Sequence, residues 1–137
     1  MRIAIIYSAQ HQKLEHVAKD LGRTLEKNGH RVEYLPIGSQ QNRPPNLRKY
    51  DYAYLGSVAE GTFGGKIPAE VADYIKQCRG FENSKSAAFL LKRRLGRNNK
   101  GMTQLMAILE NMGSQVMDFQ VIGGQADIEA LGGRLKR

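Results

Sequence analysis

The apolar residues of this chain gather into short segments separated by stretches with a different spacing. Unbroken apolar segments are typical of parallel strands buried on both faces, and alternating segments are typical of strands at a sheet edge. Residues 2–7, 50–56 and 86–91 are of the first kind, residues 31–37 alternate, and residues 115–122 form a further strand-like segment. The pattern therefore predicts five strands, with the one at 31–37 at an edge.

Helical spacing fills the intervals between these strands. Between positions 14 and 25 apolar residues recur every three or four positions, and Asn28-Gly29 then supplies a stop signal. Further helices are predicted at 68–77 with Pro68 in the first turn, at 101–111, and at 127–135 with Asp127 as N-cap. The segment at 39–47, which contains Pro44-Pro45, is expected to be a surface connection.

Strands that alternate with helices predict a parallel sheet with helices on both faces. The expected fold class is α/β, a three-layer α/β/α sandwich around a five-stranded parallel sheet. At 137 residues the chain is expected to form a single domain over 1–137. Ligands of such sheets bind beyond the carboxyl ends of the strands. The loops at 8–12, 57–67 and 92–100 are expected to meet at that edge.

Composition narrows the class of protein. The net charge is +8, and the single cysteine, Cys78, excludes an internal disulfide and suits a reducing compartment. No secretion-signal pattern is visible, and no apolar stretch approaches the ~20 residues that span a bilayer. A cytoplasmic protein without membrane association is expected. The three histidines form no metal-ligand cluster or nucleophile–base pair, and His16 and His30 are predicted at the surface.

The stretch from 50 to 68 has the most distinctive pattern. A buried strand stops at Gly56-Ser57, and a loop with three further glycines leads to Pro68. A strand, a glycine-rich loop and a helix in this order let backbone amides approach an anionic or planar ligand. An ordinary strand-to-helix connection would have the same pattern, so both interpretations stay open on these residues alone.

The chain resembles the flavodoxin family along its whole length. The resemblance is carried by the strand at 3–8, by Tyr50-Asp51 leading to Gly56-Ser57, by Phe63-Gly64-Gly65 with Pro68, and by the tail at 126–135. It implies a flavodoxin-like strand order 2-1-3-4-5 and an FMN bound non-covalently across the three loops. It also implies electron transfer with a redox partner protein. A small FMN-dependent reductase that uses a nicotinamide nucleotide is a further possibility, so whether the chain is an enzyme stays open.

The resemblance also assigns roles to residues of the three loops. The phosphate would lie on the first loop and the ring between the second and third. The implied cofactor-binding residues are Ser8, Gln10, His11, Gln12 and Lys13 at the phosphate, Ser57, Phe63, Gly64 and Gly65 on one side of the ring, and Arg93, Arg94 and Arg97 on the other. No catalytic residue and no metal ligand is implied.

The first loop departs from the family pattern of Thr/Ser-x-Thr-Gly-x-Thr. Only Ser8 keeps a hydroxyl, and His11 stands at the glycine position. Each lost hydroxyl bond to a charged phosphate costs about 1.5–3 kcal/mol, which predicts a reduced affinity for FMN. Lys13, and His11 when protonated, could supply cationic contacts instead.

The third loop is unusually basic, with Lys92, Arg93, Arg94, Arg97 and Lys100 within nine positions. Cations beside a flavin ring would raise its reduction potential, whereas family flavodoxins tend to be acidic there. The same cations could bind a nicotinamide nucleotide, an acidic protein or a nucleic acid, although the chain has no specific nucleic-acid motif. The alternative function is therefore a flavin-free binding module, in which the basic loop binds an acidic or nucleotide partner. The simplest interpretation is that the loop is exposed to solvent and has no dedicated ligand.

Overall fold

The computed structural model describes residues 1–38, 44–61, 65–94 and 96–136. Its elements are β1 (Arg2–Ser8), α1 (Gln12–Lys27), β2 (Arg31–Ile37), a 3-10 helix (Leu47–Lys49), β3 (Tyr52–Ser57), α2 (Ala69–Gln77), β4 (Lys85–Leu91), α3 (Asn99–Glu110), β5 (Gln115–Ile122) and α4 (Gln125–Gly133). The five strands form one sheet in the order β2-β1-β3-β4-β5, and every pairing is parallel. The predicted fold class and strand order are confirmed.

The two faces of the sheet explain the unbroken apolar segments. Ala4 and Ile6 of β1 belong to a core that includes the buried faces of α2 and α3. Ile3 and Ile5 belong to a second core, which includes the buried faces of α1 and α4. Because helices cover both faces, each position of a central strand is buried and no polar alternation remains. The edge strand β2, which is half exposed, keeps its alternation.

The third strand begins later than predicted. Tyr50 and Asp51 precede β3, and the phenol of Tyr50 donates a hydrogen bond of 2.5 Å to Glu33 Oε2. Gly56 lies inside the strand, where a Cβ would collide with the ring of Phe89 on β4. Close packing against an aromatic ring is therefore the reason for this glycine, and the strand continues to Ser57.

The connection before β3 is more ordered than predicted where the structure describes it. Leu47 is buried and begins the 3-10 helix, and the side chain of Asn46 accepts a hydrogen bond from the backbone N–H of Arg48. The prediction of a surface connection is therefore wrong for Leu47. Its part at 39–43 lies outside the described residues.

Two helix starts also differ from prediction. Pro68 is the N-cap of α2, which begins at Ala69. Gly124 is the N-cap of α4, and Asp127 lies within the first turn, where its Oδ2 accepts a hydrogen bond of 2.7 Å from the backbone N–H of Gly123. Asp127 thus stabilises the helix start from inside the first turn, where carboxylates also interact favourably with the helix dipole.

His30 is buried, so the prediction of a surface position is wrong for it, whereas His16 is exposed as expected. The amino group of Met1 lies 3.2 Å from His30 Nδ1, which fixes the ring beside the start of β1. Within the described ranges, no helix has the length and apolar character needed to cross a membrane.

Candidate functional site

The loops that follow β1, β3 and β4 meet at the carboxyl edge of the sheet. The parallel register sets Tyr7 beside Gly56 and Ser57 beside Leu90, so these strands end at a common level. The segments after Ser8, Ser57 and Leu91 therefore emerge side by side. This confirms the predicted meeting of the three loops and defines the candidate site.

The first loop leads directly into the amino terminus of α1. The backbone N–H of Ala9 donates to the carbonyl of Ile37, and the helix begins at Gln12 with His11 as an N-cap that makes no side-chain capping bond. The first amides of a helix lack acceptors within the helix and carry partial positive charge, which favours an anion. Gln12 and Lys13 are exposed beside these amides, at the place predicted for a phosphate.

The hydroxyl of Ser8 is engaged elsewhere. Ser8 is buried, and its Oγ donates a hydrogen bond of 2.8 Å to Oε1 of Glu70, in the first turn of α2. This contact occupies the one hydroxyl of the first loop and brings a carboxylate to the edge predicted for a phosphate. Glu70 gave no sequence signal, because an acidic residue in the first turn of a helix is ordinary.

The first and second loops are joined by a close polar contact. His11 Nε2 lies 3.3 Å from Glu60 Oε1. Glu60 and Lys66 also exchange backbone hydrogen bonds of 2.8 and 2.7 Å, which close the base of the glycine-rich loop. Glu60 therefore helps to hold the second loop in place, a role that the sequence did not indicate. Phe63 and Gly64 lie outside the described residues, so their place beside a ring stays a prediction.

Arg93 joins the second and third loops. Its Nη2 donates a hydrogen bond of 2.5 Å to the carbonyl of Gly61, and its backbone N–H donates one of 2.9 Å to Oδ1 of Asn98. Gly65 has a φ of +71°, and a Cβ on it would lie 2.8 Å from Arg93 Nη1. Glycine at position 65 therefore allows both the turn and the approach of the guanidinium.

The second terminal nitrogen of Arg93 has an unusual environment. Nη1 is buried, and no hydrogen-bond acceptor reaches it in the part of the chain that the structure describes. A buried polar group without a partner costs about 1–3 kcal/mol, and more when it is charged. Such groups are rare in folded proteins and each calls for an explanation, of which a bound ligand is one.

The other basic residues of the third loop are directed outward. Lys92, Arg94, Arg97 and Lys100 are exposed. Among the described side chains, no carboxylate comes within ion-pair distance of any of the four. The five cations therefore divide into Arg93, which packs against Gly65, and an outer group of four charges without an ion-pair partner in the described ranges. The structure does not bring Arg94 or Arg97 into a hydrogen bond with a described residue of the other two loops.

The remaining predicted residues take local roles. Ser57 is buried, and its Oγ donates a hydrogen bond of 2.8 Å to the carbonyl of Val58. Gln10 is exposed, and its Nε2 would lie 3.9 Å from a Cβ built on Gly38. The contacts of these two side chains give no indication of a bound ligand. The chemistry of the site therefore depends on the α1 amides, Arg93 and the backbone around Gly65.

A concavity lies at the opposite, amino edge of the sheet. This cleft of about 900 Å³ is lined by Tyr52, Tyr54 and Arg134 among others, and it contains none of the predicted site residues. Burial raises the pKa of Tyr52 to about 12, so its phenol stays neutral at physiological pH. We place the candidate site at the carboxyl edge in spite of this cleft, because the first amides of α1 lie there together with a buried guanidinium nitrogen that has no acceptor among the described residues.

The residues at the carboxyl edge suit the ring and the phosphate of FMN to different degrees. On the ring side, Arg93 Nη1 is buried without an acceptor among the described residues, and it lies beside Gly65, where a Cβ would come within 2.8 Å of it. On the phosphate side, the α1 amides and Lys13 are available, while Glu70 opposes an anion. The donor set therefore accommodates a planar, hydrogen-bonding ring more readily than a phosphate.

Comparisons with known proteins support the fold. No family model matches the sequence, and no curated protein matches it significantly. Among solved structures, the chain is similar to the two-electron reduced flavodoxin of Megasphaera elsdenii, with a TM-score of 0.75 and 15% identity over 95% of each chain. It is also similar to two oxidised flavodoxins of Bacillus cereus. Flavodoxin 1 gives a TM-score of 0.72 at 16% identity, covering 97% of this chain and 93% of that one. Flavodoxin 2 gives a TM-score of 0.70 at 20% identity, covering 97% of this chain and 94% of that one. At these identities the similarity establishes architecture, and the chain has the flavodoxin-like fold.

Proposed function

We propose that this chain is an electron carrier that binds FMN non-covalently at the carboxyl edge of its sheet. The observation that carries the proposal is the buried Nη1 of Arg93, which lies beside Gly65 and has no hydrogen-bond partner among the described residues, in a loop cluster of a flavodoxin-like fold. A carbonyl oxygen or ring nitrogen of a planar ligand is the acceptor that this donor lacks. FMN supplies the electron-accepting chemistry when bound, and the chain supplies binding, orientation and electrostatics.

Each part of the site has its own task in this proposal. The free amides of α1, with Gln12 and Lys13, hold the phosphate. The backbone around Gly65 lies against the ring edge, and Arg93 donates to it. A guanidinium beside the ring stabilises negative charge there, so Arg93 also raises the reduction potential. Phe63 and Gly64 are proposed to cover the ring, as the family resemblance implies.

Titration with FMN, followed by flavin fluorescence, tests the proposal. We expect saturable quenching with a dissociation constant in the micromolar range, and we expect Arg93→Gln to weaken binding by about tenfold or more, because a charge-assisted hydrogen bond is lost. Arg79→Gln is the matched control, since it removes the same charge from an exposed side chain outside the three loops. Absence of saturation up to roughly 1 mM FMN, a free energy weaker than about 4 kcal/mol, would overturn the proposal.

A flavin-free binding module is the second function that a specific observation favours. The hydroxyl of Ser8 is engaged by Glu70, and the outer group of Lys92, Arg94, Arg97 and Lys100 has no ion-pair partner among the described residues. A module of this kind would be colourless on purification and would be retained on an anionic resin until high salt. The double variant Arg94→Glu with Arg97→Glu would elute from that resin at a lower salt concentration, and no FMN titration would saturate.

A further inference from the structure

The cleft at the amino edge of the sheet has the size and the walls of a small-molecule site. Its volume of about 900 Å³ lies within the range of roughly 300–1,000 Å³ that is usual for ligand pockets. The starts of β3 and β4, the first half of β5 and the end of α4 line it, together with the 3-10 helix and the loop before β4. Apolar side chains of its wall include Leu47, Met117 and Leu135. Largely apolar walls with a few polar groups are typical of sites for organic ligands.

The sequence makes room for this cleft on the sheet itself. Tyr54, Ala87 and Asp118 are direct neighbours on β3, β4 and β5. Because the middle residue is an alanine, its small side chain leaves space between the phenol and the carboxylate. Burial is the largest cause that raises the pKa of Tyr54, and Tyr52 and Asp118 raise it further while Arg134 lowers it. The phenol of Tyr54 therefore lies within electrostatic range of both charged groups.

Two phenols at the cleft have unused hydrogen-bonding capacity. Tyr52 and Tyr54 lie two positions apart on one face of β3, with ring centroids 5.2 Å apart. Neither phenol has a hydrogen-bond partner in the described parts of the chain, and neither oxygen is among the described atoms that are sealed from solvent without a partner. Both oxygens therefore reach the cleft, where each neutral hydroxyl can donate to a ligand.

Arg134, which also lines the cleft, supplies a further donor. Its Nε and Nη2 donate to the carboxylate of Asp118 at 2.8 and 3.1 Å, and Nη2 donates to Gln120 Oε1 at 2.9 Å. These bonds fix one edge of the guanidinium. Its Nη1 donates to no group of the described chain. A guanidinium held in this way keeps its remaining donors in a defined direction for a second acceptor.

The charged residues of the wall favour an anion. Three exposed basic side chains of the wall have no ion-pair partner in the described ranges, namely Arg48, Lys85 and Lys136. Among the described carboxylates of the wall, Asp118 is paired with Arg134. Asp51 accepts a hydrogen bond of 2.8 Å from the backbone N–H of Arg2, and Glu82 is the third. Cations without a partner therefore outnumber the carboxylates that could oppose an anion.

We propose that this amino-edge cleft binds an aromatic carboxylate, whose carboxylate accepts hydrogen bonds from Tyr52, Tyr54 and Arg134 and whose ring packs against the apolar wall. A carboxylate only accepts hydrogen bonds, which suits a wall that offers spare donors, and bonds to an ionised group are the stronger kind. An aromatic ring suits tyrosine rings, which pack with other rings edge-on or offset. The site lies at the edge of the sheet opposite to the loops where FMN is proposed to bind.

Isothermal titration calorimetry with 2-naphthoate tests this proposal. We expect saturable binding with a dissociation constant below roughly 1 mM, as usual for a ligand of this size. The neutral analogue 2-naphthamide should bind at least about tenfold more weakly, because hydrogen bonds to an ionised acceptor are stronger. Tyr54→Phe should weaken the binding of 2-naphthoate at least about fivefold. Its thermal unfolding should match the wild type, since the phenol has no partner to lose among the described residues.

Two control variants separate this cleft from other sites. Tyr74→Phe removes a phenol of α2 that does not line the cleft, and it should leave the binding of 2-naphthoate unchanged. Arg93→Gln at the carboxyl edge should also leave it unchanged.

No saturation up to roughly 5 mM 2-naphthoate, a free energy weaker than about 3 kcal/mol, would overturn the proposal. Equal binding of 2-naphthamide would overturn the choice of an anion, and a Tyr54→Phe variant that binds like the wild type would overturn the site. A loss of binding in Arg93→Gln alone would place 2-naphthoate at the carboxyl edge and would overturn it as well. None of these results depends on whether FMN binds.

Discussion

At the scale of single residues, the carboxyl edge is governed by two charged side chains with opposite effects. Arg93 has a guanidinium nitrogen beside Gly65 that finds no acceptor in the described parts of the chain, and Glu70 presents a carboxylate to the hydroxyl of Ser8. The first favours a ring with acceptor atoms. The second disfavours the phosphate that would accompany it. In the proposed complex with FMN, this balance sets the affinity, and each of the two side chains can be changed alone.

Removal of the Glu70 charge should strengthen FMN binding. Glu70→Gln keeps an oxygen that can accept the bond from Ser8, so the fold should be preserved. Loss of a negative charge near the phosphate should lower the dissociation constant by roughly three- to tenfold, as expected for partly screened charges. Fluorescence titration measures the change, and Asp73→Asn, at an exposed position of the same helix, is the control. Unchanged or weaker binding in Glu70→Gln would show that the phosphate lies elsewhere.

At the scale of elements, the start of α4 depends on an aspartate inside its first turn. Asp127 accepts hydrogen bonds from the backbone of Gly123 and, at 3.4 Å, from the side chain of Gln120. Asp127→Ala should lower the free energy of unfolding by about 0.5–2 kcal/mol, the usual cost of a lost helix cap. Thermal or urea unfolding measures this cost. Glu129→Ala, two positions along the same helix and exposed, should be nearly neutral, and an equal loss in both variants would contradict the capping role.

The sequence predicted the elements better than their ends. Burial on both faces produced the apolar segments of β1, β3 and β4, so their existence and order followed from periodicity. The start of β3 was predicted too early because Tyr50 continues the apolar segment of the strand. In the structure Tyr50 lies before the strand and is bonded to Glu33. His30 was placed at the surface because its contact with the amino group of Met1 is between residues far apart in the chain.

The candidate site was less predictable for the same physical reason. Loop residues are brought together by contacts between distant segments, which leave no periodic signal. The basic third loop was visible, but nothing in the spacing of its five cations indicated that Arg93 alone packs against Gly65. The partner of Ser8 was not predictable either, since Glu70 lies 62 positions further along the chain.

At the scale of the whole molecule, charge is distributed unevenly around the site. The outer group of Lys92, Arg94, Arg97 and Lys100 lies beside the loops where FMN is proposed to bind, while residues 101–133 carry only acidic charges. A cationic rim attracts anions over about a Debye length, roughly 10 Å at 0.1 M salt. A redox partner that reaches the ring should therefore be acidic where it docks.

Electron transfer to small acceptors of opposite charge measures this field directly. With FMN bound and reduced beforehand by dithionite, oxidation by the anion ferricyanide should slow by about tenfold between low and high ionic strength, because screening removes the attraction. Oxidation by the cation hexaamminecobalt(III) should accelerate under the same change. The double variant Arg94→Glu with Arg97→Glu brings the charge of the outer group from +4 to zero and should flatten both trends, whereas Lys27→Glu with Lys76→Glu alters the net charge equally at exposed positions on α1 and α2. If both double variants shift the rates to the same extent, the net charge of the molecule and not the third loop directs the approach of partners.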